Sequence, residues 1–374
     1  MNTKSIRNLA FSLHRYIGLT VGLILVIVGL TGSILVFQKE IDSVLVKQKF
    51  EQVIPQAQTV SLDVVTNNIT QAYANQPDWK LAQFVLYYDR DIYRVRLSDS
   101  KDQQLEVFVN AYTGKILGDR LRNQSFFGRV YELHYSLLAG PIGFIVVGIA
   151  ALLMCILAIT GLLLWSGWRN LISGFKIKLN ASTKRKNYDI HKVVGIIALI
   201  FLAFTGFTGF IWNFYEQTEP AIYALTSTPK PPEVKSIVTG KESLTISEII
   251  DKAIATIPEA KPSLISVPTK PDEVFTVYLK QPQDAQYFAN KVEIDRYSSK
   301  VLHVVNSKNA QLGDRILNAF VPIHYGTFGG FPTRILYVFV GLTPTILFFT
   351  GLVMYRLRRR PKFFEETSRE LVER

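Results

Sequence analysis

Long apolar runs alternate with polar stretches along this chain, and the alternation predicts most of its architecture. Four runs, at about 17–37, 142–165, 193–214 and 335–355, each come near the ~20 residues a helix needs to cross a bilayer. Between the first and second, and again between the third and fourth, the pattern changes to that of a small α+β module. In the first polar segment a helix is expected at 62–74, followed by strands at 83–88, 92–97 and 105–110 and a turn at Tyr112-Thr113-Gly114-Lys115. The second opens on a proline-rich tether at 228–232 and repeats that order. A capping box of Thr245 and Glu248 starts a helix to Ile257, and strands follow at 274–279, 290–294 and 301–305.

The apolar runs carry their own echo. His14-Arg15-Tyr16-Ile17-Gly18 through Gly29-Leu30-Thr31-Gly32 returns without a gap as His191-Lys192-Val193-Val194-Gly195 through Gly206-Phe207-Thr208-Gly209. His134-Tyr135, Gly140 and Thr160-Gly161-Leu162 return as His324-Tyr325, Gly330 and Thr350-Gly351-Leu352. The expected fold is therefore an integral membrane α-helical protein of four transmembrane helices, arranged as a two-fold parallel repeat with two external α+β modules.

Composition agrees, since 48% of residues are hydrophobic and the charges cluster between the runs. The first run leads straight into polar chain with no small-residue cleavage site, so it is expected to be retained as a helix. Lys4, Arg7 and Arg15 precede the first helix; Arg169, Lys176, Lys178, Lys184, Arg185, Lys186 and Lys192 fill the loop between the second and third; Arg356, Arg358, Arg359, Arg360 and Lys362 follow the fourth. By the positive-inside rule both termini and that loop are cytoplasmic and the long polar segments lie outside. The expected organisation is a cytoplasmic arm and first span over 1–39, an external module over 40–125, a second span over 126–168 and a cytoplasmic loop over 169–189. A third span over 190–215, a second module over 216–312, a fourth span over 313–357 and a tail over 358–374 complete it. The net charge of +12 is mostly this topological signal, and no nucleic-acid partner is expected. Cys155 is the single cysteine, which excludes an intrachain disulfide and a thiolate metal site, and no C-x-x-C-H is present for covalent haem attachment.

Ionisable residues at membrane depth are costly and mark function. In a parallel repeat, His14 should face His191 near the cytoplasmic surface and His134 should face His324 near the external one. Two facing neutral imidazoles can supply both axial ligands of one haem iron, so two pairs suit two haems. A flat macrocycle between helices needs small neighbours. Gly18 and Gly22 share a helix face with His14, and Gly195 repeats the first step from His191. Gly32 and Gly209 lie about 25 Å further along their helices, near the depth of the outer pair, while Gly161 and Gly351 fall near the inner pair. Arg15 and Lys192 beside the inner pair, and Arg129 and Arg334 near the outer one, are candidate counter-charges for propionates. His303 lacks a counterpart in the first module and is expected to have a surface or packing role. No G-x-G-x-x-G after a strand, P-loop, flavin or nicotinamide motif is present, so electrons must come from a separate donor.

At these residues the sequence resembles the PepSY-associated transmembrane family, the iron-regulated membrane proteins of bacteria. The carrying stretches are 14–19, 29–32, 188–195 and 322–330, and the segment 109–117 is similar to the closing strand-turn-strand of a PepSY module. Two departures stand out: Tyr16 where Trp is commoner, and Tyr297-Ser298-Ser299-Lys300 in place of a Thr-Gly turn. The resemblance implies periplasmic PepSY-like modules and a dihaem b-type protein of the inner membrane. It also implies the activity of a ferric-siderophore reductase, with a quinol or a cytoplasmic reductase as electron donor and a ferric siderophore or other ferric chelate as acceptor. Two other readings compete. The modules could bind or restrain an extracytoplasmic peptidase or other partner, in which case all four histidines tolerate alanine. The histidines could instead pass transition-metal ions, though no acidic or thiolate ligands accompany them within the helices.

Overall fold

The computed structural model describes residues 3–359 apart from 51, 88, 283 and 285–288; Tyr88, Arg360 and Lys362, and the tail beyond Arg359, lie outside the described residues. The chain divides into two compact units. One comprises Met1–Ser33, Leu133–Phe214 and Ile335–Arg374, the other Ile34–Glu132 and Tyr215–Arg334.

The first unit is helical. Its long elements are α1 (Thr3–Leu35), α5 (Gly140–Leu164), α7 (Thr183–Asn213) and α11 (Gly330–Arg359), with α6 (Leu171–Phe175) a single short turn before α7. Among the described residues four helices are long and apolar enough to cross a membrane, and they correspond to the four apolar runs. Their outward faces are greasy: Ile142, Ile197 and Phe339 are 75%, 61% and 60% exposed, which only a lipid solvent makes favourable. Glycines bring the helices together elsewhere. Gly29 and Gly341 pack backbone to backbone between α1 and α11, and Gly206 on α7 faces the Ala151 carbonyl and Met154 of α5.

The apolar run expected at 142–165 forms α5, and His134 lies on a separate helix before it, α4 (Phe126–Ser136). Leu137, Leu138 and Gly140 all adopt left-handed backbone angles at the break. α10 (Leu312–Tyr325) and α11 are separated in the same way, with Gly326 and Gly330 in that conformation.

The second unit is built on one antiparallel sheet. Its strands are β1 (Lys80–Val85), β2 (Ile92–Ser98), β3 (Gln104–Asn110), β4 (Ile116–Leu121), β5 (Lys261–Ser266), β6 (Phe275–Lys280), β7 (Asn290–Ile294) and β8 (Val301–Val305), in the order β4-β3-β2-β1-β5-β6-β7-β8. The two polar segments thus share a sheet, joined where Phe84 pairs with Ile265 across β1 and β5. α3 (Leu62–Ala72) and α9 (Ile246–Thr256) cover one face, and Val65, Ile69, Ile249 and Ile257 enter a continuous core with Phe84, Val107, Val277 and Ile294. The expected capping box starts α9, and Asp63 at the start of α3 accepts from the Ile246 and Ser247 amides as well. α2 (Gln38–Lys49) lies on the opposite face over β2 and β3, where Val46 packs on Ile92 and Phe108; α8 (Tyr215–Leu225) packs against α10.

Candidate functional site

Within the first unit, His14 and His191 make the clearest constellation. α1 begins at Thr3 and α7 at Thr183, so His14 and His191 each stand inside a regular helix rather than in a connecting loop. Their ring centres lie 6.0 Å apart with the planes nearly perpendicular, at 80°. Around them opens a cavity of about 960 Å³, lined by Gly18, Gly22, Gly161, Gly195 and Gly351 among apolar side chains from α1, α5, α7 and α11. Four helices thus converge on one space large enough for a sizeable organic cofactor.

Each imidazole is held from behind by a neighbouring helix. His191 Nδ1 lies 3.1 Å from the Leu347 carbonyl and 2.9 Å from Thr350 Oγ1. His14 Nδ1 lies 3.0 Å from Thr160 Oγ1 and also meets the Leu157 carbonyl. His134, in the same unit, repeats the arrangement on α1, with Nδ1 2.9 Å from the Val28 carbonyl and 3.1 Å from Thr31 Oγ1. A carbonyl can only accept, so these contacts suit the tautomer with its proton on Nδ1, the form in which imidazole binds a metal through Nε2. At the end of α7, Asn213 donates to the carbonyls of Tyr135 and Phe144 and so ties the His134 end of α4 to α5.

The glycines sit closer to the imidazoles than the sequence alone suggested. A methyl added at Gly161 would lie 3.2 Å from His14 Cε1, one at Gly32 would lie 3.1 Å from His134 Cε1, and one at Gly351 would lie 3.7 Å from His191 Cε1. These three therefore make room for the ring edges as much as for anything between the rings. Gly18 and Gly195 have only ordinary contacts in front of them, to Leu157 and Leu347, whereas Gly22 is needed to admit the Phe348 ring. Gly209 is half-buried on α7, beside the buried Thr208.

The expected counter-charges divide sharply. Arg15 lines the cavity, stacks over Tyr16 at 4.5 Å and Phe11 at 5.5 Å, and keeps a buried Nε with no hydrogen-bond partner among the described residues. Arg7, Lys184, Arg185, Lys192 and Arg358 line the same cavity, and among the described residues no carboxylate does. The Lys192 ammonium donates to the Ser173 and Lys176 carbonyls and pairs with buried Asp189. In the second unit, Arg334 makes a bidentate pair with Glu40, both contacts at 2.7 Å, and donates to the Val36 carbonyl. Arg129 is exposed on α4. His324 is half-buried near the end of α10, its ring 6.0 Å from that of Tyr325. His303 pairs with Glu293 at 2.8 Å on the sheet.

The residues fit a haem at the inner pair. His14 and His191, with ring centres 6.0 Å apart in a cavity of about 960 Å³, would be the residues to hold it. Among the described residues no group of three or more His, Cys, Asp or Glu side chains gathers. The threonines behind the rings were visible in the sequence only as repeated Thr-Gly steps, and their contact with histidine emerges from helix packing.

No curated protein matches the sequence. Among solved structures, the crystal structure of a protein from Clostridium difficile 630 designated a lipoprotein is similar at 10% identity and a TM-score of 0.27, over 67% of this chain and 94% of that one. The family described as the PepSY-associated TM region matches residues 11–358, and this multi-pass membrane chain belongs to that family.

Proposed function

We propose that this chain is a b-type dihaem oxidoreductase that passes electrons across the bacterial inner membrane to a ferric siderophore or another ferric chelate in the periplasm. The observation that carries the reading is the His14–His191 pair, its rings 6.0 Å apart in a cavity walled by glycines and apolar side chains, whose charged lining residues among the described ones are all cationic. His14 and His191 would hold the inner haem and Arg15 would face its propionates. His134 and His324, matched in the sequence echo, would hold the outer one. When bound, each haem supplies a one-electron couple. The chain's own part is to present bare Nε2 atoms, to exclude water with apolar walls and to offset the propionate charge.

The topology that goes with this function has two parallel copies of one unit, both termini in the cytoplasm and the sheet in the periplasm. Lys and Arg at the helix ends support that orientation. Siderophore oxygens are hard donors that hold ferric iron far better than ferrous iron, so adding one electron to the substrate loosens it. Electrons enter from a quinol or a cytoplasmic reductase.

Purified protein expressed with ample haem should give a reduced-minus-oxidised spectrum with low-spin b-type bands and two haems per chain. His14→Ala or His191→Ala should each remove the same single haem, and His134→Ala or His324→Ala the other. A haem-free spectrum under those conditions overturns the reading.

A further inference from the structure

We propose that Thr31, Thr160 and Thr350 are positioning residues, each fixing the proton of one histidine on Nδ1 so that its Nε2 stays a bare donor. The proposal rests on the haem reading for its redox consequence, but its structural half stands without it. Three histidines on three helices meet the same device. Thr31 serves His134 from α1, Thr160 serves His14 from α5, and Thr350 serves His191 from α11, at 3.1, 3.0 and 2.9 Å.

The direction of each bond follows from where the hydroxyl proton goes. Thr31 Oγ1 donates to the Ile27 carbonyl, Thr160 Oγ1 to Ile156 and Thr350 Oγ1 to Ile346, each at 2.7 Å. With its proton turned back into its own helix, the oxygen can only accept from Nδ1–H. The carbonyl three residues before the threonine also meets Nδ1 of His134 (Val28, 2.9 Å) and of His191 (Leu347, 3.1 Å), and that of Leu157 meets the His14 ring; each can only accept. Acceptors therefore face each Nδ1, and they favour the tautomer with its proton there over the one with its proton on Nε2. The glycine that follows each threonine completes the seat, since Gly32, Gly161 and Gly351 are where the ring edge lies. The repeated Thr-Gly step is thus a histidine seat, with the hydroxyl orienting the ring and the missing side chain admitting it.

A hydrogen bond accepted from Nδ1–H makes Nε2 more basic, and a more basic axial ligand favours the oxidised metal. Removing the hydroxyl should therefore raise the midpoint potential of the haem concerned. Thr160→Val and Thr350→Val should raise the inner one and Thr31→Val the outer one, each by a several-fold to tenfold change in the reduced-to-oxidised ratio, or up to about 59 mV. Haem content should hold at two per chain, and Thr→Ser should return each potential to the wild-type value.

The first experiment is independent of haem. The full chain, labelled with 15N-histidine and purified from cells grown without haem supply, should show His14, His134 and His191 in the Nδ1–H form at neutral pH, with the Nε2–H form growing several-fold in the matching Thr→Val variant. Nε2–H signals in the wild type overturn the proposal whether or not the protein binds haem. So does a set of Thr→Val variants in which neither tautomer populations nor potentials move. A wild type without haem but with the Nδ1–H pattern supports the seats and rejects the redox reading above them.

Discussion

Glu106 is a carboxylate inside a sheet, held there by arginines on three sides. Arg94 reaches it at 3.3 Å, Arg96 at 3.5 Å and Arg120 at 2.8 Å, and Asp42 from α2 shares Arg94 and Arg120 at 2.7 and 2.8 Å. Burial works to raise the Glu106 carboxyl, but the pull of Arg94, Arg120 and Arg96 outweighs it and holds the group at about 2, below the ordinary 4.5. The folded-state value is depressed, so the group stabilises the sheet fully above about pH 4.5, and that contribution disappears as pH falls towards 2. The expected size is up to about 3 kcal/mol. The denaturant midpoint of the sheet, followed by circular dichroism, should drop across that window. Glu106→Gln should lower it at neutral pH by a similar amount, because three guanidinium groups lose this carboxylate, and should flatten the acid dependence. An unchanged acid dependence in Glu106→Gln would locate the titrating group elsewhere. None of this was legible in the sequence, where Arg94, Arg96 and Glu106 alternate like solvent-facing strand residues. α2, which brings Asp42 over them, begins beyond the apolar run and has no strong period of its own.

The two closing turns show how one element survives a change of residue. After β3, Asn110 Oδ1 accepts from the Tyr112 and Thr113 amides, and Gly114 takes the left-handed position at φ 72°. After β7, Asp295 Oδ1 accepts from the Tyr297 and Ser298 amides, and Ser299 takes that position at φ 55°. A side chain there costs about 1–2 kcal/mol, part of which glycine gives back as unfolded-chain entropy. Ser299→Gly should therefore stabilise the sheet by about 0.5–1 kcal/mol, measurable as a higher denaturant midpoint; a lower one would mean that the serine side chain makes up for its own strain. The turn was read correctly as a turn because its polar residues punctuate two strands. The left-handed backbone at Leu137 and Leu138 leaves no mark in the sequence, since the residues that bend there are apolar and hydropathy is blind to φ. β5 was passed over for a related reason. Pro262 looks like a strand breaker, yet it sits at the second residue of the strand, where the ladder tolerates the missing donor.

The four spans could be read from length and charge, and the histidine echo picked out His14 and His191, whose rings meet, because both signals are carried by residue type along one helix. Which strand edges meet is a different kind of information. Period-two alternation fixes which face of a strand is apolar but is silent about its neighbour, and the two polar segments, read as separate modules, turn out to share one sheet through β1 and β5. The join has energetic content. Phe84 and Ile265 are both fully buried at the junction, Leu86 donates to the Ser263 carbonyl and Val267 to that of Ala82, and the core under α3 runs on without interruption beneath α9. A segment stitched in this way should open as one cooperative body rather than as two independent ones. Ile265→Ala tests it. The substitution should cost about 2–5 kcal/mol. It should also speed amide hydrogen exchange in β1 and β2 of the first segment as much as in β6 and β7 of the second, read by mass spectrometry on the full-length protein. Faster exchange confined to β5–β8 would mean that the seam is a contact between two separate folding units, and that each polar segment keeps its own stability.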